Sequence, residues 1–162
     1  MNASPELQVI VAAAEHFGPH DGAKCATPEL TSQVSSSDFD KRQTQRLTDL
    51  VRANAPESDL GLLDNYMSGK LCPVSLRRIG KILRWIKPLK GNKDIRELRE
   101  SGMYERFLYF TTPAIAASGA TAFLEVHTED GAFSHMGSWY YVLAQKLDDD
   151  WGIWWSHLHK MS

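Results

Sequence analysis

The spacing of hydrophobic positions changes near residue 103. Before it they recur at intervals of three and four; after it they alternate, which predicts helices followed by strands. Ser4 reads as an N-cap, Pro5 as a first helical residue and Gly18 as a stop, with Leu7, Ile10, Val11, Ala14 and Phe17 on one stripe. Thr27-Pro28-Glu29 repeats the start signal for a short helix ahead of Ser35-Ser36-Ser37. Ser37 with Asp40 resembles a capping box that opens a helix to about Ala53, with Phe39, Leu47, Leu50 and Val51 inward. Ser58 caps a helix carrying Leu60, Leu63, Tyr66 and Met67, closed by Gly69. Residues 75–87 give the sharpest amphipathic pattern: Leu76, Ile79, Leu83 and Ile86 share one face, Arg77, Arg78, Lys81 and Arg84 lie off it, and Pro88 ends it. Asn92 caps a last helix, with Ile95 and Leu98 inward and Ser101-Gly102 at its end.

Segments 121–128, 138–147 and 151–161 have period two, and a fourth strand is expected near 104–112. Turn residues divide them: Ser118-Gly119, Glu129-Asp130-Gly131 and Asp148-Asp149-Asp150. Alternation places Ala122, Leu124 and Val126 opposite Phe123, Glu125 and His127, and Trp139, Tyr141 and Leu143 opposite Tyr140, Val142 and Ala144. It also puts Trp151, Ile153, Trp155, His157 and His159 on one face of the last strand. Both faces are apolar over much of their length, as in a sheet covered on one side and partly covered on the other. The aromatic residues then read as core and cross-strand pairs, with a ligand groove at Trp139, Tyr140 or Trp154 as the sharper alternative. The expected class is α+β: N-terminal helices packed on a C-terminal antiparallel meander of about four strands. A single domain over 1–162 is expected, mainly helical to residue 103 and meander from 104.

Charge adds one feature that the pattern lacks. The net charge is −2, yet residues 70–106 hold eleven of the eighteen Lys and Arg and sum to +7, between acidic ends. Such a middle either neutralises itself in the fold or presents a cationic face to an anionic partner. Arg77, Arg78, Lys81 and Arg84, with Trp85 as a stacking platform for bases, are the candidate binding residues. An acidic protein surface is the favoured partner, and nucleic acid the lesser one because the sequence pI is near 6.3. Cys25 and Cys72 are too few for a disulfide framework and read as buried thiols. The start lacks a basic leader and no run approaches a membrane span, so a cytoplasmic protein is expected.

Catalytic signals are sparse. There is no Gly-x-Ser-x-Gly elbow, no phosphate-cradling glycine loop, no dinucleotide fingerprint and no His-Glu-x-x-His, so no cofactor is expected. His157-x-His159 places two imidazoles on one strand face, and His127 or His135 with Glu125 offers a His/carboxylate set for a metal-dependent hydrolase. No third ligand is fixed by spacing, so His127, His157 and His159 stay weak metal candidates beneath a reading with no metal. The acidic turns are explained by turn geometry.

One resemblance bears on the last fifty residues or so. Thr111-Thr112-Pro113, Ala122-Phe123-Leu124, the run from Gly137 to Leu143, Asp150-Trp151-Gly152-Ile153 and the closing Ser162 are its carriers. Together they resemble the C-terminal module of small uncharacterised bacterial α+β proteins, with a Ser/Thr-x-Pro before a meander and a Gly-x-Trp-like final strand. The resemblance implies that fold and a bacterial source, with no agreed activity and no catalytic residues to carry over. The cysteines that often stand between the second and third strands of that module are absent from 127–137. The functional expectation is a non-catalytic binding protein, immunity- or inhibitor-like, that engages an acidic partner through a basic helix.

Overall fold

The computed structural model describes residues 3–18, 23–130 and 137–161, with the backbone alone for 92–96. The fold is α+β. Helices α1 (Pro5–Phe17), α2 (Lys41–Arg52), α3 (Gly61–Met67), α4 (Ile79–Ile82) and α5 (Gly91–Ser101) pack on one mixed sheet. Its strands are β1 (Cys25–Pro28), β2 (Ile86–Leu89), β3 (Arg106–Phe110), β4 (Ala114–Ile115), β5 (Thr121–Asp130), β6 (Gly137–Leu147) and β7 (Asp150–Met161). The order is β2-β1-β3-β5-β6-β7, with β4 paired to β5. The expected four-stranded meander is present as β3, β5, β6 and β7, all antiparallel. Two short strands that the sequence reading did not anticipate run parallel to β3 and extend the sheet.

Local signals explain several of the helix ends. The Ser4 hydroxyl accepts from Leu7 N–H with Pro5 beside it, and the Gly18 N–H closes α1 on the Ala14 carbonyl. The capping box of α2 starts later than expected, at Asp40, whose carboxylate accepts from Gln43 N–H while Gln43 accepts from Asp40 N–H. Gly69 and Gly102 hold φ of +74° and +71° after α3 and α5, a conformation that glycine adopts without strain.

The amphipathic helix expected over 75–87 does not form. One turn, Ile79–Ile82, is helical; Leu83 is already extended, and Ile86–Leu89 pairs with Cys25–Pro28. Three physical causes act together. Pro88 disfavours helix in the residue before it, and Gly80 weakens helix in the middle. The ladder with β1 lets Ile86 and Leu89 be buried. The chain doubles back so tightly that a Cβ on Gly80 would stand 3.3 Å from the Ile86 carbonyl oxygen. The same ladder takes up Thr27 and Pro28, so the short helix expected there is a strand.

Two layers cover the sheet. On one face α1 and α4 pack over Leu108, Phe110, Leu124, Val126 and Val142. On the other, α2 and α3 bury Leu47, Val51, Leu63 and Tyr66 against Phe123, Tyr141 and Leu143. A smaller cluster of Tyr104, Phe107 and Leu89, with Leu98 of α5, closes the β1–β3 end of that second face. The face assignments for β5 and β6 hold. That for β7 fails midway, because Leu143 pairs with Trp155 and Ala144 with Ile153, leaving Trp154 as an inserted residue. Trp151 and Ile153 therefore join the α1 core while Trp155 joins the α2–α3 core. Leu143 is fully buried, whereas Trp139 and Trp151 are half-buried. Cys25 is buried and Cys72 is exposed, so the buried-thiol reading fails for Cys72: its segment, ahead of α4, runs over the surface.

Among the described residues, no helix is long and apolar enough to cross a membrane. Phe123, fully buried, meets Tyr66 edge-on with centroids 4.7 Å apart. Phe123→Ala is expected to lower unfolding free energy by about 3–5 kcal/mol in urea titration. An unchanged midpoint would remove Phe123 from the core of the second face.

Candidate functional site

The second face of the sheet is left open between α2–α3 and α5. A cleft of about 730 Å³ opens there, floored by Tyr109, Glu125, His127, Trp139, Tyr141 and His159. Its walls are the segment from Ser32 to Phe39 and the Gln43 and Arg46 side chains of α2. Backbone bonds fix that wall to the sheet: Ser32 N–H donates to the Phe110 carbonyl, and Thr112 N–H returns to the Ser32 carbonyl. Beneath it the buried Thr31 and Thr112 hydroxyls lie 2.7 Å apart in a hydrogen bond. Thr112 of the Thr-Thr-Pro motif thus anchors the wall.

The floor is built on a polar node. Glu125 lies on an inner strand, where a carboxylate needs partners to be tolerated. The buried Tyr66 hydroxyl supplies one, donating to Glu125 Oε2 at 2.5 Å, with Thr111 Oγ1 2.9 Å away. Thr111 Oγ1 also accepts from Glu125 N–H at 2.8 Å. Glu125 Oε1 stands 3.2 Å from His159 Nε2. Burial first, then the Glu125 charge, raises the Tyr66 phenol well above its ordinary pKa, so it remains a donor.

Rings stack across the strands in two rows. Register pairs Tyr109 with His127 and His127 with Trp139, and the stacked rings lie 5.2 and 3.9 Å apart. Lys160 Nζ lies 5.1 Å from the centre of the Trp139 ring. In the second row His159 stacks on Tyr141 at 3.8 Å, and His157 lies between Tyr141 and Trp155. A second irregularity, with Trp139 opposite Lys160 and Tyr140 opposite Leu158, lets His159 and Lys160 both reach this face. Behind the first row Arg99 donates to the Tyr109 hydroxyl at 2.6 Å and pairs with Glu129. Burial and Glu129 push the Tyr109 pKa up to about 12.

Among the described residues, the imidazoles do not gather as a metal site would require. His127 neighbours Glu129 (3.6 Å) and His159 neighbours Glu125 (3.2 Å), each in its own ring stack. Among the described residues no three His, Cys, Asp or Glu side chains come together to hold a metal. His135 lies outside the described residues. Of the three aromatic groove candidates, Trp139 lines the cleft. Tyr140 faces α1, where its ring lies 4.8 Å from Phe17. Trp154 donates its indole N–H to the Asn54 carbonyl at the far end of α2.

The basic residues lie elsewhere. Arg77, Arg78, Lys81 and Arg84 are exposed on the irregular segment around α4, and Lys87 and Lys90 on and after β2. They do not form the face of a continuous helix. Trp85 is half-buried: it packs with the α1 core, and a Cβ on Gly18 would fall 2.4 Å from its ring. Tyr66, Thr111, Tyr109 and Arg46 are site residues that sequence reasoning missed. The available signal was Glu125, an acid amid Phe123-Leu124 and Val126, which calls for a partner from a covering helix.

No family model matches the chain, and neither a curated protein nor a solved structure does.

His127 carries a pH prediction. Burial lowers its pKa below the ordinary 6.5, with Glu129 acting in the opposite sense. As pH falls below about 6.5 the unfolded chain binds a proton that the folded chain refuses, so stability declines until the lowered folded pKa is reached. His127→Phe, which keeps a stacked ring, is expected to flatten that decline in denaturant titrations across the acid range. Equal slopes for the two proteins would remove His127 as its source.

Proposed function

We propose that the chain is a non-catalytic binding protein, immunity- or inhibitor-like, whose partner is a protein with an acidic surface. The cationic segment from Arg77 to Lys90 is the contact region. One observation carries this reading: among the described residues, ion pairs reach Arg77 (Glu29), Arg99 (Glu129) and Arg106 (Asp130), and none reaches Arg78, Lys81, Arg84, Lys87 or Lys90. Among the described residues, the acidic ends form close ion pairs with Arg77, Arg99 and Arg106 alone of the Lys and Arg side chains, which favours an outside partner for the other cations between Arg77 and Lys90. Ile79, Ile86 and Leu89 anchor the segment in the cores, so its charges stand on a fixed backbone. A fixed array of exposed cations steers acidic surfaces more effectively than it adds stability.

The non-catalytic part rests on the cleft. Among the described residues, the Thr111 hydroxyl there bonds to Tyr66 and to Glu125 and makes no hydrogen bond to a histidine that could serve as its base. Poly-glutamate serves as the acidic probe and a single-stranded oligonucleotide as the competing polyanion. Arg78→Glu with Lys81→Glu is expected to weaken poly-glutamate binding by roughly tenfold or more at low salt, with the loss shrinking as salt screens exposed charges. Stability should move by no more than about 0.5 kcal/mol, because both positions are exposed and unpaired. Equal affinity of the reversed and original proteins would sink this reading, and tighter binding of the oligonucleotide would transfer it to nucleic acid.

A further inference from the structure

Two opposite charges stand unjoined in the cleft over the sheet. Arg46 of α2 and Glu125 of β5 both line it, and no ion pair connects them among the described residues. Tyr141 lines the same cleft, its phenol raised in pKa first by burial, then by Glu125, with Arg46 acting in the opposite sense. Both charges stand on elements held in one core, where Leu47 and Val51 of α2 pack with Phe123 of β5. The other charged groups facing this space are already engaged. Asp38 accepts from Ser35 N–H at 2.9 Å, and Lys160 lies over the Trp139 ring. His159 is held by its stack on Tyr141, with Nε2 beside Glu125. Arg46 is exposed and carries no such contact among the described residues.

We infer that the cleft is a binding site for a small zwitterion, such as a free amino acid or a dipeptide. Its carboxylate meets the Arg46 guanidinium and its ammonium meets Glu125 beside the Tyr141 ring. Each half of the ligand has a reason to prefer this place. Glu125 Oε2 takes the Tyr66 hydroxyl and Oε1 stands 3.2 Å from His159 Nε2, yet each oxygen has a second lone pair and 18% of the side chain is exposed. Arg46 offers a planar fork to a carboxylate, the geometry in which guanidinium binds best. The volume, about 730 Å³, lies within the usual range for small-ligand sites and leaves room for a side chain against Phe39 and Trp139. A ligand with one charge would satisfy one wall and confront the like charge on the other. This site is separate from the cationic segment, and neither proposal depends on the other.

The test uses the full chain, titrated by calorimetry and by backbone NMR with the twenty free amino acids and a panel of dipeptides. For any binder, the N-acetyl form removes the ammonium and the amide form removes the carboxylate. The parent compound is expected to shift resonances of Thr111, Glu125, Tyr141 and His159, and both derivatives to bind roughly tenfold or more weakly. Arg46→Ala should bring the parent's affinity down to that of its amide while leaving the melting temperature in place. Comparison of amino acids with dipeptides identifies which spacing of the two charges fits. An N-acetyl form that binds as well as its parent makes this an anion site and overturns the inference. An amide that binds equally well makes it a cation site, with the same consequence. Absence of binding up to millimolar concentration, or an Arg46→Ala protein that binds undiminished, also refutes it.

Discussion

The hydrogen bond from Tyr66 to Glu125 determines how the second face of the sheet is organised. A carboxylate on an inner strand, flanked by Leu124 and Val126, is destabilising unless something donates to it. Tyr66 is fully buried, yet its hydroxyl reaches across the layer to Glu125 and to Thr111. That contact places α3 over the Phe123 end of β5, with Tyr66 edge-on to Phe123. It also ties β5 to the corner after β3, where Thr111 bonds the backbone of Glu125. The helix cover therefore stops at Glu125, and beyond it the sheet carries His127, Trp139 and Lys160 in place of an apolar core.

The open region must satisfy its polar groups without a covering helix. The rings stack on one another across β3, β5 and β6, so each shields its neighbours' faces from water. Arg99 from α5 closes the far side by meeting both Tyr109 and Glu129. The cleft is thus bounded by two ordered networks, one rooted in α3 and one in α5. Its aqueous mouth is bordered by the wall that Ser32 and Thr112 pin to the sheet.

Much of this was legible in the sequence, and the failures have common causes. The meander was legible because residues 104–161 carry period two over long runs with acidic or glycine turns between them. The capping signals at Ser4 and Gly18 were legible because they are local. Residues 75–89 were misread because helical spacing of Leu76, Ile79, Leu83 and Ile86 is also compatible with one turn followed by a strand. The deciding partner, Cys25–Pro28, lies some sixty residues away, and four-residue strands carry too few positions to show a period. The inserted Trp154 was invisible for another reason. An irregularity changes which face each later residue takes, but it leaves the composition of the strand unchanged. In the site, Trp139 and the histidines were named from the sequence. Their arrangement in separate stacks, and the role of Tyr66, depend on cross-strand register and on a helix-to-sheet contact.

The two edges of the sheet show why the cationic segment and the cleft are separate features. At one edge, β2 is only four residues long and presents Lys87 and Pro88, a charge and a missing donor that both discourage pairing with another strand. Its cations are thus partly accounted for by edge protection. Arg78, Lys81 and Arg84 precede the strand and have no such duty. At the other edge, β7 is long, and its register breaks beside Trp154 and His159. Those breaks interrupt the regular row of backbone groups that another strand would need, and the second of them brings His159 and Lys160 onto the cleft floor. Protection of that edge and construction of the cleft are therefore two results of the same break at His159. Removing it to straighten β7 would separate His159 from Tyr141 or Lys160 from Trp139, while offering the edge for pairing.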